Sequence, residues 1–203
     1  MTTVLHGLGD FMVYAIAAIF AQNAVFSRAL GVSRLVRLID DTAVNKRSFG
    51  VLLCSIQLIS APLAWLCSQA LAGWGYRRAV RPLAFVLCAT VAYLLVMCLI
   101  QVVFKLPGAK ELVAVLPLAA FNTAVLGPLL IADTQSYTLP QTLAFALGSG
   151  VGYMLAVAIV AEGQRKLQNR AVPGPFRGLP ITLLYIGILA LAIYGFTGHM
   201  LTV

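Results

Sequence analysis

AQNAVFSRALGVS (residues 21–33) sets Gln22, Asn23 and then Arg28 inside what is otherwise the deep part of an apolar segment, and closes on the Leu30–Gly31 turn. AFNTAVLGPLLIA (120–132) repeats its features. Ala21, Asn23, Ala24, Val25 and Gly31 of the first stretch answer to Ala120, Asn122, Ala124, Val125 and Gly127 of the second. An unpaired amide in hydrocarbon costs several kcal/mol, so both asparagines are expected to face protein or a polar cavity. Pro117 and Pro128 bracket Asn122, and each removes a backbone donor from a helix interior, which predicts a broken or kinked helix there. Both stretches read as half-helices meeting near mid-bilayer, with Gln22, Asn23, Gly31, Ser33, Asn122, Thr123 and Gly127 around a midplane polar site. The plainer reading is an amide that caps a kink or bonds across helices and does nothing more.

The composition requires a bilayer. Of 203 residues, 61% are hydrophobic and 10% charged, and the mean hydropathy is +0.96, more apolar surface than a soluble globule can bury. Charges divide the chain into uncharged runs at 11–27, 48–76, 82–104, 112–132, 134–161 and 178–203. All but the first reach the roughly 20 residues that cross about 30 Å of hydrocarbon. The first has 17. The expected fold is therefore an all-α integral membrane protein with six transmembrane helices, the first and fourth broken. It forms a single transmembrane domain over 1–203, built from repeat one (1–105) and repeat two (106–203). Three spans per half is an odd number, so the second half enters the membrane in the opposite sense, giving inverted repeats.

The net charge of +8 points to topology rather than to nucleic acid, because the basic residues sort by connection. Eleven lie in the first, third and fifth connections between spans, and only Arg77, Arg78 and Arg81 lie in the second. By the positive-inside rule both termini are expected outside the cytoplasm, with those three arginines dissenting. Neither Lys nor Arg precedes the first apolar run, so a cleaved signal peptide is not expected.

No catalytic constellation is visible. Cys54, Cys67, Cys88 and Cys98 lie within spans two and three without metal-binding spacing and read as small buried apolar groups. His6 and His199 are near the ends of the chain. Asp10, Glu111, Asp133 and Glu162 flank spans, where their carboxylates are expected to snorkel to the interface. GSGVG (148–152) has no strand before it and no Lys-Ser/Thr after it, so it is not a phosphate loop. Gly148 and Gly152 share a helix face and are expected to serve close helix packing. AVPGPFRGLPI (171–181) is a rigid turn that ends the fifth span, and Arg177 within it is expected to anchor to lipid.

Taken together, the break ending in Leu-Gly, the central NTAVLG (122–127), the glycine-rich fifth span and VPGPFRGLPI (172–181) resemble the Rnf/Nqr membrane-subunit family. FNTAVLG (121–127) and PFRGLPITLLYIGILALAIYGFTG (175–198) are the more specific part. The resemblance implies a small integral subunit of an ion-translocating electron-transport complex of the bacterial inner membrane. It implies pairing with a second such subunit in opposite orientation, with a [2Fe–2S] cluster between them and two thiolates from each. The family pattern puts those cysteines at Leu-Gly-x-Cys and directly after the central Asn. This sequence has Ser33 and Thr123 there.

Iron–sulfur clusters are held by thiolates, and a serine or threonine hydroxyl is not ionised near neutral pH. No cofactor or metal is therefore expected on this chain. The leading expectation is a cluster-less member of the family acting in assembly or in the ion path, a non-catalytic subunit rather than an enzyme by itself. Its expected partners are membrane lipid and other integral membrane subunits or a second copy of itself, with no nucleic acid. The alternative is a stand-alone small transporter or channel that uses the midplane polar site, as a single chain or as a homodimer.

Overall fold

The computed structural model describes residues 2–41, 44–103, 109–167 and 172–197. Lys105, Arg170 and His199 lie outside the described residues, as does the side chain of His6. The described residues form α1 (Thr2–Ile19), α2 (Val32–Asp40), α3 (Lys46–Ala70), α4 (Arg77–Cys98), α5 (Ala109–Ala120), α6 (Thr123–Thr134), α7 (Leu139–Leu167) and α8 (Leu179–Thr197). The chain is an all-α, multi-pass membrane protein. α3, α4, α7 and α8 are each long and apolar enough to cross a bilayer, and α5 with α6 makes a fifth span bent by 47°.

α1 contains a shorter apolar helix, Gly7–Ile19, and past the break α2 continues it beyond the uncharged run 11–27. Gly148 of α7 backs onto Ala15, and Gly152 onto Ile19 and Asn23. Beyond the break, the Tyr153 hydroxyl bonds Gly31 and the Gln164 amide donates to Asp40 at 2.7 Å. The chain thus follows α7 in one direction, and the eight residues from Asn23 to Gly31 advance it by about one residue of α7. α2 hides this second limb from a scan for uncharged runs. It carries Arg34 and Arg37 on one side and buries Leu35, Val36 and Leu38 on the other.

The fourth span repeats the arrangement on α3. Gln57 meets Ala124, and further along Ser68 meets Asp133, so α6 runs parallel to α3. α3 and α7 run antiparallel, since Gly50 opposes Met154 and Gln57 opposes Gly150. Equivalent helices of the two halves therefore point in opposite senses, and each half's broken span is seated on the long second helix of the other half.

The break in the fourth span falls at Phe121–Asn122, with both prolines inside the flanking helices. Its agent is Asn122. That residue is extended (φ −117°, ψ 137°), and its side-chain oxygen accepts from the Ala124 N–H at 3.1 Å, an N-cap that starts α6 afresh. α3 starts in the same way, with Asn45 accepting from the Arg47 N–H at 3.0 Å.

α3 and α7 form the centre of the bundle, whereas α8 buries only Thr182 and Ile186 and leaves Leu191 and Phe196 outward. An outward apolar face of this kind suits lipid or another membrane subunit. The cysteines are less buried than expected. Cys54, Cys67 and Cys88 are half-buried and Cys98 is exposed.

Candidate functional site

The two breaks meet halfway along α7. After α1 ends at Ile19 the chain winds through 20–31. The Ser27 N–H donates to the Asn23 carbonyl at 2.9 Å, and the Leu30 N–H to the Ala24 carbonyl at 2.8 Å. Asn23 organises the turn from inside. Its Nδ2 donates to the Ile19 carbonyl at 2.8 Å and to the Gly152 carbonyl at 2.9 Å, while its Oδ1 accepts from Val25 N–H at 3.0 Å. The amide cost anticipated for a buried asparagine is thereby met on both its ends.

Gly31 closes the turn at φ +74°, in the left-handed region, and N-caps α2. A Cβ at this position would lie 2.7 Å from the Tyr153 ring, so conformation and space both call for glycine. The Gly31 N–H donates to Thr123 Oγ1 at 2.8 Å, and the Tyr153 hydroxyl donates to the Gly31 carbonyl at 3.1 Å. On the other break, Gln57 Nε2 donates to the Ala124 carbonyl at 2.8 Å. This bond matches the one from Asn23 to Gly152: in each, an amide joins a break to the opposing half.

Gly31, Asn122 and Thr123 are thus brought together, with Gly127 one turn along α6 against Leu30. Ser33 lies exposed in the first turn of α2, two residues on from Gly31, and Thr123 is exposed as well. Asn122 is buried, and its side-chain amide lies against the Tyr153 hydroxyl. Gln22 stands apart. Its amide lies beside Tyr137, and it borders a depression with Arg28, Ala190 and Tyr194. Burial, reinforced by the neighbouring Tyr14 phenol, pushes the Tyr137 phenol up despite that amide and Arg28.

Two participants escape a reading of the breaks alone. Gln57 is fully buried in the middle of an uncharged run, and a lone amide at such a position is a detectable signal. Tyr153 gives none, since a tyrosine in an apolar helix is ordinary until its partner is known.

The donor set does not suit the cluster implied by the family resemblance. Thr123 offers a neutral hydroxyl whose oxygen already accepts from Gly31 N–H, and Ser33 offers another hydroxyl, where soft, ionised sulfur is needed. Among the described residues, no three His, Cys, Asp or Glu side chains gather to replace it.

A second polar centre corrects the expectation for Asp133, which does not snorkel. Its side chain is 6% exposed at the end of α6, with Arg81 Nη1 at 2.5 Å, Arg77 Nη2 at 3.7 Å and the Ser68 hydroxyl donating to it. Two of the three arginines that dissent from the charge bias are therefore held by this carboxylate.

A family model described as an Rnf-Nqr subunit, a membrane protein, matches residues 11–200. One subunit of the Na⁺-translocating ferredoxin:NAD⁺ oxidoreductase complex of Acetobacterium woodii is 30% identical over 92% of this chain and 96% of that protein. One subunit of the ion-translocating oxidoreductase complex of Syntrophotalea carbinolica is 31% identical, over 93% and 97%. One subunit of the Na⁺-translocating NADH-quinone reductase of Psychromonas ingrahamii is 30% identical, over 92% and 96%.

Proposed function

Because the chain belongs to the Rnf-Nqr family of membrane subunits, we propose that it is an integral subunit of a redox-driven ion-translocating complex that keeps the family scaffold and supplies no cluster ligands. It works in assembly or in the ion path of that complex, in the bacterial inner membrane, with both termini outside the cytoplasm. The observation that carries this reading is the bond from Gly31 N–H to Thr123 Oγ1. A hydroxyl at a position where the family pattern has a cysteine serves as an internal tie between the two breaks. The exposed Ser33 and Thr123 and the outward face of α8 are then offered to other membrane subunits.

The test is purification from native membranes with a mild detergent, followed by identification of associated subunits and assay of iron and acid-labile sulfide. Associated flavin- or iron–sulfur-bearing subunits, with no cluster ligated by this chain, are the expected result. Stoichiometric iron and sulfide with ligation traced to this polypeptide would overturn the reading.

One observation favours a second reading, transport by this chain alone. Asn122 is a buried amide at the point where α5 ends and α6 begins, a position where broken helices bind solutes. Solute or ion flux into liposomes containing only this protein would establish it, and liposomes that stay tight would set it aside.

A further inference from the structure

We propose that the basic corner between α3 and α4 is a seat for the phosphate of an anionic lipid headgroup. Arg77, Arg78 and Arg81 fall within the first five residues of α4. Cations are disfavoured at a helix N-terminus, where the backbone dipole is itself positive, so three guanidiniums there raise the local potential instead of balancing it. Among the described residues the carboxylate in contact with them is Asp133, which is shared by Arg81, Arg77 and Ser68 and leaves an excess of two positive charges. The Nε atoms of Arg77 and Arg81 are buried without an acceptor among the described residues, and Arg78 is exposed.

These side chains border an open depression of about 840 Å³, within the range of ligand sites, with Trp74 and Tyr76 on its rim. Trp74 is 62% exposed and Tyr76 82%, and both follow directly on the apolar span that ends at Gly73. Exposed aromatics at that height form the belt at the level of lipid headgroups, which places the arginines beside lipid phosphates. Guanidinium groups match phosphate oxygens in geometry and charge. The position of the aromatics favours a lipid phosphate over free phosphate, which needs no apolar neighbour. A headgroup here also explains why three arginines stand against the charge bias of the rest of the chain.

The test uses the full chain in detergent, stripped of lipid and supplied in separate arms with phosphatidylglycerol, phosphatidylcholine or inorganic phosphate, with binding read by native mass spectrometry and by thermal unfolding. Wild type is expected to retain phosphatidylglycerol in preference to phosphatidylcholine. Arg78→Gln is expected to cut that retention about fivefold, the equivalent of about 1 kcal/mol for one arginine beside an anionic surface. Arg77→Gln is the second variant, since Arg77 is the more distant of the two arginines on Asp133, and Arg81, in close contact with that carboxylate, is left intact. Equal retention of the two lipids, or retention of phosphatidylglycerol unchanged in both variants, would overturn the proposal. So would a thermal shift reproduced in full by inorganic phosphate, which would make the corner a soluble-anion site. Loss of associated membrane subunits from Arg78→Gln with lipid retention unchanged would likewise overturn it and assign the corner to a protein partner.

Discussion

The Gly31 N–H and the Thr123 hydroxyl, 92 residues apart in sequence, lie 2.8 Å apart where the two interrupted spans touch. Thr123→Ala removes the acceptor and leaves a buried backbone donor unpaired, which costs about 1–2 kcal/mol. Thr123→Ser keeps the oxygen. Thermal unfolding in detergent should rank wild type and the serine variant together, above alanine. Equal stability of all three would mean that the bond carries no weight.

Gly31→Ala meets two obstacles, the positive φ of 74° and the Tyr153 ring. The left-handed conformation alone costs a residue with a Cβ about 1–2 kcal/mol, and the ring contact adds to this. The variant should unfold at lower temperature than Gly187→Ala, whose added methyl meets nothing within 4 Å. Identical melting of the two would contradict the described turn.

A methyl at Gly148 would strike the backbone of Ala15, and one at Gly152 would crowd Ile19 and the Asn23 amide. Both substitutions should push α1 away from α7 and destabilise by about 1–3 kcal/mol, the usual cost of overpacking. Cysteines placed at exposed sites on α1 and α7 and cross-linked before and after substitution would register the separation. An unchanged cross-linking yield would argue against it.

Asp133→Asn leaves Arg81 and Arg77 without their carboxylate, and removal of one member of a buried pair costs about 3 kcal/mol. Replacing Asp133 and Arg81 together with apolar residues of similar size should recover much of the loss. A double variant as unstable as Asp133→Asn would show that the ion pair is not the cause.

The polar interruptions themselves announced the architecture. Asn23 and Asn122 have no place in hydrocarbon unless the helix stops, and both breaks are found beside them. The second limb of the first span was illegible to a charge scan. α2 has a solvated side bearing Arg34 and Arg37, so its buried Leu35, Val36 and Leu38 are lost among charges. The prolines misdirected the reading of the fourth span, because a side chain that caps the next helix is enough to end one, and Pro117 and Pro128 are accommodated within helices. Gln22 shares its neighbour's chemistry but points elsewhere, and composition holds no record of side-chain direction. Asp133 was misplaced for the same reason. A carboxylate beside a span end reads as exposed until Arg81 and Ser68 are known to fold over it.

The exchange of seats between the halves constrains how the polypeptide is made. Asn23 leaves the ribosome 129 residues before Gly152, the carbonyl to which it donates. At about 5–20 residues per second this is a wait on the order of ten seconds, during which Asn23 has its local bonds to Ile19 and Val25 but not its tie to α7. α7 is therefore the late arrival on which α1 docks, and the first half is completed only after the fifth span has been made.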